Sequence, residues 1–378
     1  MYNTSHNPSA TSAIMIHDRP KLTKVDDRFG FAPCAADIAG DIAGAPAAGI
    51  TVGVYGPPGS GKSSFLNFMD ERLHDLGCPT VRLSAQSIHC SNGTCPALIE
   101  EIQRQLRSDH PTPDDIRQDA SQLSARLGLA IEELVPEDKK AVVIIDDLDR
   151  CQPNDLVGIL DLLGSHACGD KCVFVIAADR PFIERSVASY YGATQNDYGR
   201  DYLDRVVHTQ FDMPPISLRR LSEAYSEALD ALQLRKQNVN MISAAADGNP
   251  RRMIRLLNAF GHMRIPEGYQ SDDLAGELPT LWERVYVFAT CLRTCFPDAY
   301  RTCAQNPESC ESGLDLLSAR ELFPSEHYNQ SSADAFEPYR RNTALRRFLQ
   351  RVVDISFPAS PPWKEPEMLQ EAIELVEA

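Results

Sequence analysis

The chain has 378 residues, 43% of them hydrophobic and 24% charged, with a formal net charge of −16. That length suffices for two or three domains around a sizeable core, and the acidic balance excludes a protein that grips nucleic acid through overall positive charge, although not through a local basic channel. No apolar run reaches the length of a membrane span, and the opening MYNTSHNPSATSAIMIHD lacks the basic-then-apolar order of a secretory signal, so a cytoplasmic protein is expected.

The first residues are polar and without periodicity, which predicts a disordered tail over 1–20. A helix is expected around Ala35–Ile42, ended by Ala, Gly and Pro residues. The β-branched run Ile50–Tyr55 then reads as a strand, and Phe65, Leu66, Phe68 and Met69 have helical spacing after it. Thr80–Leu83 suits a second strand. Ala97–Leu106 and Ile116–Leu134 read as helices on either side of a Pro/Asp turn. The runs at Ala141 (AVVII) and Cys172–Ala178 lack alternation, as parallel strands buried on both faces do. Between them Asn154–Leu163 is helical, and after them come Pro181–Tyr190, a helix ending near Val207, and a last strand at His208–Met213. Strands alternating with helices predict a parallel α/β sheet flanked by helices over 21–215.

After Pro215 the strand signal stops. Ile216–Leu234, Val239–Ala246, Arg251–His262 and Thr280–Thr294 are expected as helices, with weaker ones near Leu314–Leu322 and Ala344–Val353. Pro358–Pro366 is rich in proline, and Glu367–Ala378 closes as an acidic helix. The expected division is a helical lid over 216–270 and a C-terminal helical region over 271–378. The eleven cysteines are expected as free thiols in a reducing compartment. Cys291, Cys295, Cys303 and Cys310 do not follow the paired CxxC spacing of zinc sites, which leaves a metal site there as the lesser reading.

The strongest chemical signal is Gly56-x-x-x-x-Gly61-Lys62-Ser63 between a strand and a helix. Glycines let backbone N–H groups approach phosphate oxygens, and the helix start adds unpaired donors and a positive dipole end. The expected phosphate cradle is Gly56, Pro57, Pro58, Gly59, Ser60, Gly61, Lys62, Ser63 and Ser64. Lys62 supplies a cation for the β- and γ-phosphates and Ser63 a hydroxyl for Mg²⁺, so ATP and Mg²⁺ are the expected ligands.

Asp146-Asp147 ends the next buried strand, at the sheet edge where ligands of open α/β sheets bind. Asp146 is assigned to Mg²⁺ and Asp147 to polarising the attacking water; the competing reading is a pair of turn or capping aspartates. Asp149-Arg150 either braces this loop, meets a neighbouring subunit, or forms a surface ion pair. Asp179, at the end of the third buried strand, can reach the γ-phosphate or the water and also suits a helix cap ahead of Pro181. In Gly248-Asn249-Pro250-Arg251-Arg252, Arg251 is the candidate for touching the γ-phosphate from the lid, with a basic solvent face as the alternative. Arg200 and Arg205, like Arg150, are candidates for acting on a neighbour's nucleotide; pairing with Asp201 or Asp204 is at least as good a reading for the first two.

Taken in order, GVYGPPGSGKSS, VVIIDDLDRCQP, FVIAADRPFI, YLDRVV ahead of FDMPP, and GNPRRMIRLLN resemble the KAP family of P-loop NTPases, from about Asp26 to the mid-280s. The resemblance implies the additional-strand type of P-loop fold, with a catalytic acid beside the Mg²⁺ aspartate. It implies bacterial members linked to phage exclusion and genome conflict, and animal members that scaffold signalling complexes at membranes. Many members insert transmembrane helices between the phosphate loop and the acidic motif; here 97–140 is too polar for them. The aromatic turn usual after the second strand is replaced by LSAQSIHC. The expected function is a Mg²⁺-dependent ATPase working as a conformational switch or assembly module, with self-association or a separate effector protein as partner. The alternative is an ATP-binding scaffold with little hydrolysis.

Overall fold

Five runs rich in β-branched residues make one parallel sheet: β1 (Ile50–Tyr55), β2 (Thr80–Ser84), β3 (Ala141–Asp146), β4 (Cys172–Ala178) and β5 (Thr209–Asp212), in the spatial order β2-β3-β4-β1-β5. The strand that follows the acidic motif, β4, thus lies between β1 and β3, which is the additional-strand arrangement. Its register sets Ala178 beside Tyr55 and Ile176 beside Ile145, so the ends of β1, β3 and β4 lie close together. The computed structural model describes residues 16–45, 49–85, 101–102, 104–105, 131, 135–137, 139–164, 171–193, 197–262, 280–319 and 335–377. Most of the two helices expected over 97–134 lies outside the described residues.

The helices cover the sheet as their stripes require. In α1 (Phe31–Gly44) a buried residue recurs about every turn.

 The full stripe is Phe31, Ala35, Ala39 and Ile42, and it packs along α2 (Lys62–Asp75), whose Phe65, Leu66, Met69 and Leu73 are buried. Phe65 lies between Phe31, edge-on at 6.4 Å, and Phe211 of β5, stacked at 5.1 Å. On the opposite sheet face, α3 (Pro153–Gly164), α4 (Arg180–Tyr190) and α5 (Tyr198–Val206) build one core. Leu156, Ile159, Ile183, Val187 and Leu203 meet Val81, Val143, Ile145, Phe174 and Ile176 there.

The contact of α5 with α4 is close enough to need a glycine. A Cβ on Gly199 would stand 2.0 Å from the main-chain oxygen of Glu184. Gly199→Ala is therefore expected to destabilise this unit by about 1–3 kcal/mol through overpacking. A urea denaturation midpoint equal to that of the wild type would show that the two helices separate freely.

The chain divides into two compact units, one spanning Arg19–Pro214 and the other 215–378 with residues 16–18. The second unit is helical: α6 (Leu218–Ala224), α7 (Ser226–Ala231), α8 (Lys236–Ala246), α9 (Pro250–His262), α10 (Leu281–Cys295), α11 (Pro297–Gln305), α12 (Pro307–Ser318), α13 (Thr343–Ser356) and α14 (Pro366–Glu377). Its centre is α10, opened by a complete capping box between Thr280 and Glu283 and buried on nearly every side. Phe288 of α10 meets Phe348 of α13 at 5.8 Å and Trp363 at 5.3 Å.

Three sequence expectations change here. Ile216–Leu234 is two short helices, because Tyr225 leaves helical geometry (φ −118°, ψ 19°) between α6 and α7. The stretch before Leu314 forms α11 and α12, each started by a proline at its first turn, and α12 ends at Ser318. The last residues of the expected tail are held rather than loose. The Ile16 main chain exchanges two hydrogen bonds with the Asn258 side chain, at 2.8 and 2.9 Å. Among the described residues no helix is long and apolar enough to cross a membrane, and no group of three or more His, Cys, Asp or Glu residues could hold a metal. Cys291, Cys303 and Cys310 are buried free thiols, and Cys295 is half-buried.

Candidate active site

The loop after β1 is shaped by its own residues. Ser60 N–H donates to Pro57 O at 3.1 Å, closing a tight turn, and Gly59 and Gly61 follow with φ of 83° and 99°. These left-handed angles suit glycine and turn the loop onto the start of α2. No side chain caps α2 at Gly61, so its first-turn N–H groups keep their need for an acceptor, as an anion-binding helix start does. The Ser60 hydroxyl is buried with no hydrogen-bond partner among the described residues, a second polar group in the same loop open to a ligand.

Lys62 is only 8% exposed. Its Nζ donates to Gly56 O at 2.7 Å and Pro57 O at 3.4 Å, and stands 3.7 Å from Asp149 Oδ2. Asp149 Oδ2 also accepts the Asp179 main-chain N–H at 3.0 Å. One carboxylate thus links the phosphate loop, the turn after β3 and the end of β4. Sequence reasoning weighed Asp149 as a brace, a subunit contact or a surface ion pair. At 12% exposure it is an inward-facing partner of Lys62. The only signal available was its place two residues beyond Asp147, because its partner Lys62 lies far off in the sequence.

Asp146 ends β3, and its Oδ1 accepts the Asp147 N–H at 2.8 Å while Oδ2 faces the Arg82 guanidinium at 4.0 Å. Asp147 takes a left-handed backbone (φ 58°, ψ 32°) at the head of the turn Leu148–Arg150, and its side chain makes no capping bond. Arg150 Nε sits 3.0 Å from Asp147 Oδ1, inside the same loop. Burial pushes the Asp147 carboxyl above the usual range, Asp146 adds to this, and Arg150 and Lys62 oppose it. Asp179 is pushed up by burial and held back mainly by Lys62. Its main-chain oxygen begins α4 by accepting from Phe182 and Ile183, but its carboxylate makes no capping bond.

The donor set suits a hard divalent cation that arrives with phosphate. Asp146 Oδ2 and the Ser63 hydroxyl are oxygen groups of the kind that could hold Mg²⁺, whose remaining ligands would come from nucleotide and water. Arg251 belongs to the helical unit, where its Nε pairs with Asp18 at 2.5 Å. Arg200 pairs with Asp197 rather than Asp201 or Asp204, Asp204 pairs with Arg180, and Arg205 is exposed on α5.

Several solved structures align along most of the chain. A Walker-type ATPase of Pyrococcus abyssi is 11% identical, covering 96% of this chain and 99% of that one, with a TM-score of 0.42. Cdc6p of Pyrobaculum aerophilum is 14% identical over 95% and 96% of the two chains, at a TM-score of 0.42. The ORC1 protein of Aeropyrum pernix, solved in complex with DNA, is 15% identical over 92% and 85%, at 0.43. No match was found among curated proteins. The family described as the KAP family P-loop domain matches residues 31–106 and 79–265. With the phosphate loop, the acidic motif and the intervening strand in place, the chain belongs to the KAP family of P-loop NTPases.

Proposed function

We propose that this nucleotide-binding protein is a Mg²⁺-dependent ATPase whose cycle works as a conformational switch or assembly module. The observation that supports this most is the meeting of Lys62, Asp147, Asp149 and Asp179 around one loop, with the Asp147 and Asp179 carboxylates making no capping bond. The loop N–H groups and the start of α2 would hold the phosphate oxygens, and Lys62 would turn from the loop carbonyls to the β- and γ-phosphates. A magnesium ion on Ser63 and Asp146 would neutralise charge on the same phosphates. Asp147 orients the attacking water, and Arg150 holds its carboxylate in place. Asp179 and, from the helical unit, Arg251 are the proposed readers of the γ-phosphate. Because catalysis here is mainly positioning and charge, a guanidinium from a second copy or a partner effector would raise turnover further. Work in the cytoplasm, in antiphage defence or genome conflict, is the setting that the family likeness suggests.

Asp147→Asn tests the reading. It keeps the shape of the loop and removes the base, so hydrolysis is expected to fall by about 10²–10⁴-fold while ATP affinity stays near that of the wild type. Turnover by Asp147→Asn equal to the wild type would instead support a nucleotide-binding scaffold, with the acid serving only as a turn residue.

A further inference from the structure

Arg82 has no part in the reading above, yet it is the cation that faces the proposed metal ligand. It lies in the middle of β2, an edge strand, with Val81 and Leu83 buried on either side of it. Two independent holds fix it. Its main-chain N–H and C=O both bond the Gln105 amide at 3.1 Å, and its Nη1 donates to Asn67 Oδ1 at 2.8 Å. Asn67 in turn donates from Nδ2 to Lys21 O at 2.7 Å. The other guanidinium nitrogen, Nη2, is thereby aimed at Asp146 Oδ2 from 4.0 Å.

That distance matters. It is too long for a hydrogen bond but close enough for charge attraction, so Arg82 balances Asp146 without occupying the lone pairs of Oδ2. The opposite oxygen, Oδ1, is committed to the Asp147 N–H. Asp146 is 13% exposed and followed by Asp147, so without Arg82 its charge would stand beside another carboxylate with no ion-pair partner among the described residues.

We propose that Arg82 is a positioning residue of the metal site: a built-in counter-ion that keeps Asp146 aimed when no divalent cation is present and competes with the cation for it. This rests on Asp146 being the metal-holding carboxylate. A divalent ion at Oδ2 would lie within a few ångströms of the guanidinium, and the two positive charges repel. Arg82 thus raises the metal concentration needed to fill the site and keeps it selective for a cation brought in by a nucleotide.

The test is a titration of Mn²⁺, followed by electron paramagnetic resonance, into the full chain with a non-hydrolysable ATP analogue. Arg82→Gln, which can still bond Asn67, is expected to tighten Mn²⁺ binding about three- to tenfold by removing one nearby charge. Analogue affinity in the presence of a chelator should be unchanged, and Arg82→Lys should restore the wild-type value. If Arg82→Gln leaves Mn²⁺ affinity unchanged or weaker, the proposal is overturned and Arg82 only ties β2 to α2. Asp146→Asn separates the two levels of the argument. If it leaves Mn²⁺ affinity intact, the assignment of the metal ligand itself fails; if it weakens Mn²⁺ while Arg82→Gln has no effect, only the role of Arg82 fails.

Discussion

Lys62→Ala is expected to weaken ATP binding about 30- to 5000-fold, the equivalent of about 2–5 kcal/mol for truncating a buried charged partner. The side chain is 8% exposed and its ammonium has three oxygen neighbours within 3.7 Å. Its loss does more than remove a phosphate contact. Asp149 would be left at 12% exposure with no cation opposite it, in a loop that also carries Asp146 and Asp147. A triphosphate would then enter a pocket of like charge. Lys62→Ala should therefore also lower the melting temperature without nucleotide. Adding Asp149→Asn should recover much of that stability, because the unpaired charge is gone, but not the affinity for ATP. Isothermal titration and melting curves on the single and double variants measure both effects. Wild-type ATP affinity in Lys62→Ala would remove the phosphate loop from the nucleotide site.

The largest effect on stability is expected at Trp363. Its ring is fully buried against Phe288, and its Nε1–H donates to Asp315 Oδ1 at 2.8 Å. Trp363→Ala should cost the helical unit about 3–5 kcal/mol, the usual loss for a large aromatic cut back to a methyl. Trp363→Phe keeps most of the ring and gives up the hydrogen bond. Asp315 retains Lys364 as a partner, so the expected loss falls to about 1 kcal/mol. Urea denaturation monitored by far-ultraviolet circular dichroism distinguishes the two. Equal midpoints for both variants would mean that the ring contributes little to the core.

What was legible in the chain follows the range of the interactions. The sheet was plain because buried parallel strands are written as unbroken apolar runs, and β3 and β4 have no exposed residue to interrupt them. The phosphate loop was plain because glycine spacing is a local code. Asp149 was visible only as one of several acids, since its meaning depends on Lys62, far off in sequence. Arg82 gives no signal in the sequence, because a lone arginine in a strand carries no pattern. Trp363 sits in the proline-rich stretch Pro358–Pro366, which carries no helical or strand period, and its burial is decided by α10 and α12. The break at Tyr225 is silent in the sequence because Ile216–Leu234 keeps helical spacing through it. No periodicity reports a single residue leaving helical geometry.

The left-handed backbone at Asp147 has a consequence in the language of codons. Asn, Asp and Gly are the residues that occupy φ near 58° with least strain, so they can stand at this turn without rebuilding it. Asn and Gly are each one base away from either aspartate codon. The commonest mutational exits from Asp147 that keep the fold are thus ones that delete the proposed base and leave the phosphate loop untouched. A lineage of this protein could pass from hydrolysing enzyme to nucleotide-holding scaffold in one mutation, and return by reversing the same base.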